Sequence, residues 1–542
     1  MTRTAAPVPG EQLTHRQVLV VLSGLLLGMF LAALDQTVVS TAMRTIADQL
    51  EGQTAQAWVT TAYLMTSTIT VPLYGKLSDM YGRRPFYLFA IAVFVVGSVL
   101  CGTAQSIYEL AAWRAVQGLG AGGLMSLAFA IVGDLVPPRE RGRYQAYFMS
   151  VFATSCAAGT LVGGAFAGQE TLLGIDGWRW VFLINVPVGA LAMLVVARNL
   201  HLPRHRSEAR VDYLGALLLT TTVVPLLLVA EKGREWGWGS ALTVGLTALS
   251  LTSLVAFVAW ERRMSEAAIL PLRVFHNRVF SISTSVSLLI GAAMFGGFVV
   301  LPLYLQIVRG SSPTESGLQL SPLMVGIIIT SAIVGRVMQR TGRYKVFPVV
   351  GTVVLLVAMV LFSRLAVDTP MWQVLGPMVV LGAGLGLCMQ TLVISVQNAL
   401  PPRDMGVATS SVTFFRSMGG TFGAAASLAV LFGSLAGNIQ ARLVEGGLPA
   451  AVVDRFASAT ALDDSSVIDT LPDAVRLAVL QGFSDSVQSV FTVVAVLLVP
   501  AFVLTLFLKE VPLRAQGGIA AAQANADTDS ALRTSRTETA VL

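Results

Sequence analysis

The chain has 542 residues, of which 54% are hydrophobic and 12% are charged, and its mean hydropathy is +0.72. Soluble domains are about 25% charged, so this composition excludes an ordinary soluble protein. We attribute the net charge of +6 to an excess of basic residues on one side of a membrane, and not to a nucleic-acid partner.

Long apolar segments recur along the whole chain, and a helix of about 20 apolar residues is long enough to cross a bilayer. The sequence therefore predicts an all-α polytopic membrane protein. The fourteen predicted spans cover residues 18–40, 56–75, 86–104, 110–134, 144–166, 180–197, 211–230, 240–259, 280–306, 316–335, 346–364, 371–396, 407–435 and 485–508.

Lys and Arg are divided unevenly between the two sets of alternating loops: one set holds 19 of these residues and the other holds 6. The basic set consists of loops 76–85, 135–143, 198–210, 260–279, 336–345 and 397–406. Because basic loops stay in the cytoplasm, this set is predicted to be cytoplasmic. With an even number of spans, both termini, including residues 1–17, are then cytoplasmic, and the protein is expected in the lipid bilayer of the cell membrane.

Asp35 lies in the first span and is the only carboxylate well inside an apolar segment. A charge near the middle of a bilayer costs at least about 2.5–3.5 kcal/mol, so we expect Asp35 to have a charged partner or a function. Arg114, early in the fourth span, is a candidate partner. Either Asp35 couples transport to a proton or to the substrate, with Arg114 as a modulator that does not deprotonate, or the two form a static ion pair.

The loop between the second and third spans reads G-K-L-S-D-M-Y-G-R-R. Its carboxylate and guanidinium groups lie at the ends of two helices, where they could form a conformational latch. The alternative is a topological signal with a turn, but such a signal requires arginine and no aspartate, so we favour the latch. The predicted latch residues are Gly75, Asp79, Gly82, Arg83, Arg84 and, at the end of the fourth span, Asp134.

Glycines recur at helical spacing on the fourth and fifth spans. Such small-residue ridges let two helices approach closely. Two interpretations stay open, namely plain tight packing and mobile, sliding packing between two halves of the protein. The glycines concerned are Gly118, Gly122, Gly159, Gly163 and Gly164.

Four motifs of the first part of the chain return in the same order in the second part. Residues 75–84 match 335–344, and residues 136–142 match 400–406 at an offset of 264. The repeat predicts two related six-helix bundles, which is a transporter architecture. The predicted domains are a first bundle at 18–200, two inserted helices with basic linkers at 201–279, a second bundle at 280–508 and a disordered cytoplasmic tail at 509–542.

Residues 436–484 are predicted to form a long external loop with several aspartates. It is interpreted as a solvated loop, or as a segment that docks a partner or caps an exit. Aromatic and methionine side chains suit an adaptable substrate cavity. Together with Arg416, a charge inside the thirteenth span, the predicted cavity residues are Phe30, Tyr63, Phe152, Tyr304, Met389, Phe415 and Arg416.

The sequence contains no pattern for a metal, a cofactor or an enzymatic centre. Its three cysteines have no metal-ligand spacing, and its four histidines lie in loops or near the N-terminus. A nucleotide-binding loop of the form G-x-x-x-x-G-K-[ST] is absent. We therefore predict a protein that is not an enzyme and needs no cofactor.

These motifs resemble the major facilitator superfamily, in particular its fourteen-span branch of drug:proton antiporters, the multidrug efflux transporters of the EmrB and QacA type. The resemblance covers about residues 18–508. The matching residues are Leu34, Asp35, Thr37, Val38 and Val39; Gly75, Leu77, Asp79, Gly82, Arg83 and Arg84; Arg114, Gln117, Gly118, Gly120, Ala121 and Gly122; Trp178, Arg179, Trp180, Phe182, Ile184, Asn185 and Pro187; and Arg416, Gly419 and Gly420.

The resemblance implies the major facilitator fold and a proton-driven exporter of drugs or other small amphiphilic compounds, in which the two halves rock about a central cavity. The alternative is a dedicated exporter of one compound, such as a self-made antibiotic, a lipid or an amino acid. A monomer in a bacterial membrane is expected. One departure is Thr160, which stands where the family's fifth-span pattern has proline, and a helix without that proline is expected to be straighter.

Overall fold

The computed structural model describes residues 15–51, 55–200, 211–264, 267–449, 452–453, 468 and 471–513. These residues form sixteen α-helices and one short β-hairpin, β1 (Thr171–Leu172) with β2 (Ile175–Asp176). The helices are α1 (His15–Gln49), α2 (Gln56–Tyr81), α3 (Arg83–Thr103), α4 (Ile107–Leu135), α5 (Pro138–Ala167), α6 (Trp180–Leu183), α7 (Asn185–Asn199), α8 (Tyr213–Trp236), α9 (Ala241–Met264), α10 (Arg278–Leu303), α11 (Pro313–Gln319), α12 (Ser321–Thr341), α13 (Val346–Phe362), α14 (Met371–Ala399), α15 (Met405–Glu445) and α16 (Asp473–Leu506).

Twelve helical segments of the described residues are long and apolar enough to cross a membrane. Helix α13 is apolar but has 17 residues, and α2, with 26 residues, is not among the twelve. The molecule is therefore a polytopic helical membrane protein, while the count of fourteen spans stays a prediction.

Helices α1–α7 and α10–α16 form two bundles with the same pattern of neighbours. In the first bundle α4 packs against α2 and α3, and α1 packs against α5 and α7. In the second bundle α14 packs against α12 and α13, and α10 packs against α15 and α16. Corresponding helices of the sequence repeat thus occupy corresponding places.

The two bundles meet at the end that carries the repeated basic loops, which we call the basic end. The basic end comprises residues 76–85, 135–143, 336–345 and 397–406. Here Gly142 of α5 lies against Gly335 of α12, where a Cβ at position 142 would stand 2.6 Å from the Gly335 Cα. Arg141 Nη1 donates to Gln397 Oε1 across the same interface at 2.8 Å. Helix α15 also packs against α2 and α4.

The inserted helices α8 and α9 pack against each other beside the seam between the bundles. Helix α8 contacts α2 of the first bundle and α15 of the second. In the last turn of α9, Glu261 accepts hydrogen bonds from the backbone N–H groups of Ile269 and Leu270, which follow the helix. Arg273 then donates to Asp404 at 2.8 Å, directly before α15. The insert is therefore attached to both halves. Residues 201–210 of its first linker lie outside the described residues.

The predicted external loop at 436–484 is too long. Helix α15 continues to Glu445, and α16 already begins at Asp473. The two extensions hold each other, because Arg442 forms two hydrogen bonds to the Asp485 carboxylate, at 2.7 and 3.0 Å. Hydropathy predicts a loop wherever the sequence turns polar. Here the polar residues continue the two helices, and the Arg442 and Asp485 charges satisfy each other through this bidentate contact.

The boundary of the tail at residue 509 is also wrong. The Tyr344 hydroxyl donates to the Lys509 carbonyl at 2.8 Å and accepts from the Val511 N–H at 3.0 Å. Residues 509–513 therefore pack on the basic end of the second bundle, and the rest of the predicted tail lies outside the described residues. At the other terminus, α1 already begins at His15, within the predicted N-terminal segment 1–17.

Candidate functional site

Asp35 is completely buried in the first bundle. Arg114 Nη1 donates to its Oδ2 atom at 2.6 Å, and Oδ1 accepts from Gln117 Nε2 at 2.8 Å and from Asn185 Nδ2 at 2.7 Å. The three donors lie on α4 and α7, so one carboxylate on α1 joins three helices. Because the Arg114 donor is a cation, its hydrogen bond to the carboxylate is stronger than one between neutral groups.

Ser98 of α3 completes this carboxylate network. Its hydroxyl oxygen accepts from Gln117 Nε2 at 3.1 Å and from Asn185 Nδ2 at 2.9 Å, and its hydrogen is donated to the Phe182 carbonyl at 2.9 Å. The serine thus orients the two amides that hold Asp35. We refer to Asp35, Ser98, Arg114, Gln117 and Asn185 as the Asp35 network.

Tyr63 was predicted to line the cavity, but the structure places its ring under Arg114. The guanidinium carbon lies 4.0 Å from the ring centre, and Tyr63 is 4% exposed. A desolvated guanidinium over an aromatic face gains a cation–π attraction. Two buried polar atoms, Arg114 Nε and Asn185 Oδ1, have no hydrogen-bond partner.

Sequence reasoning placed Asp35 and Arg114 in one site, whereas it assigned no role to Ser98 or Asn185. A signal for Asn185 existed, since a neutral amide inside an apolar span requires hydrogen-bond partners. Ser98 carried no such signal, because serine in a membrane helix can bond to its own backbone.

Arg83, at the start of α3, joins two carboxylates at the basic end. It contacts Asp79 at 2.5 Å and Asp134 at 2.8 Å, and it donates to the Ser78 hydroxyl at 2.5 Å. The Arg83 side chain is only 7% exposed. The predicted latch residues Asp79, Arg83 and Asp134 therefore form one buried ion-pair cluster.

Asp79 also reaches the second bundle. Its two carboxylate oxygens accept hydrogen bonds from the backbone N–H groups of Gly406 and Val407, each at 3.0 Å. These groups begin α15, and the first N–H groups of a helix lack partners within it and carry partial positive charge. Asp79 therefore caps a helix of the other half.

The remaining latch residues have other roles. A Cβ on Gly75 would collide with the Gly406 carbonyl and the Ser410 side chain, so this glycine permits close approach of α2 and α15. Gly82 turns the chain between α2 and α3 with φ +100°, a value that favours glycine. Arg84 donates to the Ala197 carbonyl at the end of α7. The structure thus does not place Arg84 in the ion-pair cluster.

The glycine ridges pack helices within the first bundle and not between the halves. Gly118 and Gly122 lie against α2, and Gly159 and Gly163 lie against α1. A Cβ on Gly164 would meet nothing within 4 Å. The structure therefore favours plain tight packing at these ridges. Helix α5 is continuous through position 160, whose side chain lies outside the described part.

Burial along α15 marks where the space between the halves begins. Every residue of α15 from Met405 to Phe414 is buried, whereas Phe415 to Met418 are all partly buried. Four successive residues cover all sides of a helix. On helix α5, residues 150–154 are likewise all accessible, whereas one face of the preceding turns, with Tyr144, Phe148 and Met149, is buried. Both transitions lie about three turns from the basic end, so side chains of α5 and α15 become accessible at a similar depth.

The predicted cavity residues are only in part suited to this space. Phe152, Phe415 and Arg416 lie at the two transitions, and Phe30 and Met389 are also partly buried. Tyr304 is different: it is completely buried and donates to the Ala366 carbonyl at 2.8 Å. Its hydroxyl group ties two chain segments together, so Tyr304 is a structural residue and not a cavity wall.

No group of three or more His, Cys, Asp or Glu side chains able to hold a metal ion occurs in the part of the chain that the structure describes. The site therefore consists of a buried carboxylate in the first half and an ion-pair cluster of the same half whose Asp79 caps α15 of the second half. Two repeated helical bundles with these features define a membrane transporter.

The chain belongs to the Major Facilitator Superfamily, whose family model matches residues 25–424. It is 37% identical to an uncharacterised MFS-type transporter of Mycobacterium tuberculosis over 94% of this chain and 72% of that protein. It is 34% identical to the multidrug transporter protein MdtP of Bacillus subtilis, over 91% of this chain and 93% of that protein. Multidrug resistance protein 3 of the same species is 32% identical to this chain, over 90% of this chain and 94% of that protein.

Solved structures agree on the fold. The proton:xylose symporter XylE bound to 6-bromo-6-deoxy-D-glucose superposes with a TM-score of 0.59 at 14% identity, covering 94% of this chain and 99% of that one. A bacterial homologue of the human lysosomal transporter Spinster superposes with a TM-score of 0.55 at 16% identity. The superposition covers 91% of this chain and 97% of that one. The family match confirms the predicted superfamily, while the fourteen-span count of the predicted branch stays a prediction.

Proposed function

We propose that this protein exports drugs and other amphiphilic organic compounds across the cytoplasmic membrane in exchange for protons. The observation that carries the proposal is the buried Asp35, which is held by Arg114, Gln117 and Asn185 in a network of neighbouring helices. The names of the Bacillus relatives support the substrate class. The basic end is taken as cytoplasmic, the chain as a monomer with fourteen spans and both termini as cytoplasmic.

The Asp35 network suggests how a proton changes the packing of the first half. Adding a proton to Asp35 removes its charge and the strongest part of its attraction to Arg114. The amides of Gln117 and Asn185 then lose a charged acceptor, which weakens the attachment of α1 to α4 and α7. Helix α1 packs along α5, and α5 contacts α12 of the other half. A change at Asp35 is thus transmitted to the interface.

Alternating access requires one state with the basic end closed and one with it open, and the latch controls the change between them. With the basic end closed, Asp79 caps α15 and Arg83 neutralises Asp79 and Asp134. Rocking of the two halves separates Asp79 from α15 and opens the cavity to the cytoplasm. In the proposed cycle the cavity of this closed state opens at the opposite end, where protons enter and cargo leaves.

The proton gradient provides enough free energy to export the cargo against a concentration gradient. Each charge that crosses the membrane provides about 2.3 kcal/mol per 100 mV. A proton-motive force on the order of 150 mV therefore supplies about 3.5 kcal/mol per proton, which sustains a cargo gradient of a few hundredfold.

The central experiment replaces Asp35 by Asn, which keeps the shape but has no proton to exchange. We expect Asp35→Asn to abolish dye efflux driven by an imposed pH gradient in inverted vesicles, while purified protein keeps its elution profile and helix content. Wild-type rates in this variant would refute the role of Asp35. Uphill efflux by the wild-type protein with equal pH on both sides and no voltage would refute proton coupling.

A further inference from the structure

Arg114 is held in the Asp35 network through one of its nitrogens. The Nη1 atom donates to Asp35 Oδ2 at 2.6 Å and to Gln117 Oε1 at 2.7 Å, while the Nε atom has no hydrogen-bond partner. The residue is 1% exposed, so its charge is removed from water. Because arginine stays protonated even when desolvated, the charge of Arg114 depends on Asp35 for as long as that carboxylate is ionised.

A proton on Asp35 removes this counter-charge. An uncompensated buried charge is strongly unfavourable, so the guanidinium group then needs another source of attraction. Among the described residues, the titratable groups that act on Arg114 besides Asp35 are Tyr63 of α2 and Cys101 of α3. A phenol and a thiol are both neutral near pH 7, so neither replaces the carboxylate as a counter-ion.

The aromatic face of Tyr63 provides the remaining attraction. The guanidinium carbon of Arg114 lies 4.0 Å from the ring centre, and Tyr63 is itself 4% exposed. An aromatic face attracts a cation most strongly where water is excluded. Close helix packing places the ring, because a Cβ on Gly118 would stand 2.5 Å from the Tyr63 carbonyl oxygen and 3.1 Å from the Tyr63 Cα. The glycine thus lets α4 approach α2 at Tyr63, one helical turn after Arg114.

We propose, on the basis of the proposed export function, that Tyr63 is a positioning residue for proton exchange, whose ring holds the charge of Arg114 in place while Asp35 is protonated. With Asp35 ionised, Arg114 is attracted by both the carboxylate and the ring. With Asp35 protonated, it keeps the ring and the neutral Gln117 oxygen. The ring therefore stabilises the proton-loaded state more than the ionised state, and it keeps Arg114 where it can pair again when the proton leaves.

The first test needs no gradient, because Asp35→Asn imitates the protonated carboxyl group. The melting temperature of purified protein in detergent is measured with and without Tyr63→Leu, in the wild-type and in the Asp35→Asn background. We expect Tyr63→Leu to lower the melting temperature about twice as much in the Asp35→Asn background, since contacts with a shared partner are not additive. Equal losses in the two backgrounds would overturn the proposal.

The second test measures the pH profile of dye efflux in inverted vesicles, whose lumen corresponds to the outer face. Without the ring the proton-loaded state is less stable, so more acid is needed to reach it. We expect Tyr63→Leu to move the lumenal pH of half-maximal efflux about one unit lower, and Tyr63→Phe, which keeps the ring, to leave it unchanged. A wild-type profile in Tyr63→Leu would contradict the proposal. Unequal melting losses without any pH-driven efflux by the wild-type protein would reject the export function and retain the role of the ring toward Arg114.

Tyr74→Leu is the matched control, because it removes a second buried tyrosine from the same helix. Tyr74 is 6% exposed, packs edge-to-face on Phe86 and lies about 16 Å farther along α2. Its replacement should cost the same in both backgrounds and leave the pH profile unchanged; a shift as large as that of Tyr63→Leu would overturn the proposal. If Tyr63→Leu does not fold, Tyr63→trifluorophenylalanine keeps the shape of the ring but weakens its negative face. A wild-type pH profile in that variant would likewise refute the role of the ring.

Discussion

At the scale of single residues, Asp35 shows how an ionisable group is accommodated in an apolar bundle. Its charge is balanced by Arg114, and its second oxygen is satisfied by Gln117 and Asn185, while Ser98 orients both amides. A buried charge is tolerated only when paired and hydrogen-bonded. The same network is therefore a stability element and, in the proposed cycle, the place where the proton acts.

Asn185→Leu removes two of the hydrogen bonds in this network and leaves Oδ1 of Asp35 and the Ser98 hydroxyl with fewer donors. Loss of a partner from a buried polar group costs about 1–3 kcal/mol, so we expect a lower melting temperature for the purified protein in detergent. The control is Asn199→Leu, since Asn199 is only partly buried at the end of α7. Equal melting temperatures for the two variants would show that the Asn185 hydrogen bonds contribute nothing measurable.

At the scale of elements, α15 connects the two halves at the basic end. Its first N–H groups are capped by Asp79 of the other bundle, and Gly75 allows α2 to lie close against it. The Asp79 carboxylate is in turn held by Arg83, which also binds Asp134. The Arg83 guanidinium between two buried carboxylates therefore supports the contact of α2 with α15, beside the Arg141–Gln397 hydrogen bond that also joins the halves.

Arg83→Ala leaves Asp79 and Asp134 buried, close together and without a counter-ion. Breaking a buried ion pair costs about 3–5 kcal/mol, so the closed state loses population and efflux at saturating cargo concentration should fall by at least about tenfold. Cargo affinity should change little, because the latch lies outside the cavity. Turnover and affinity are measured separately with purified protein in vesicles.

Arg84→Ala is the matched control, because it removes the same positive charge from the same loop. Arg84 contacts the Ala197 carbonyl and not the carboxylates, so its replacement should affect turnover much less. If Arg83→Ala and Arg84→Ala behaved alike, the loop would serve as a topological signal and not as a latch.

At the scale of the whole molecule, the two bundles are in contact at the basic end and leave accessible side chains on α5 and α15 beyond it. The inserted helices α8 and α9 lie against the seam and contact both α2 and α15 through α8. In the proposed cycle, rocking of the halves shifts α8 against at least one of them. The described arrangement corresponds to the state of that proposed cycle in which the basic end is closed.

This state predicts from which side the cavity can be reached. In a background with Cys101, Cys156 and Cys388 replaced by Ser, we expect Phe415→Cys to react with a charged maleimide about tenfold faster in right-side-out vesicles than in inverted ones. Adding Arg83→Ala should speed the reaction in inverted vesicles, because it weakens closure of the basic end. Faster labelling of Phe415→Cys from the cytoplasmic side would contradict either the predicted orientation or the closed basic end.

Several features followed from the sequence because they are local. Apolar segments and basic loops indicated the membrane helices, the repeated motifs indicated two halves, and an isolated acid in an apolar segment drew attention to Asp35. The motifs also pointed to the family whose model matches residues 25–424. Each of these signals depends on the hydropathy, charge or order of neighbouring residues, which folding does not alter.

Other features were decided by the tertiary structure alone, because they depend on how helices are rotated and tilted against each other. Hydropathy does not reveal that the Tyr63 ring lies under Arg114, or that Tyr304 is buried against a carbonyl. It also does not reveal that Arg84 lies outside the ion-pair cluster. It also does not show that Arg442 of α15 and Asp485 of α16 join the two helices. The sequence determined which residues the membrane would tolerate, and helix packing determined which of them meet.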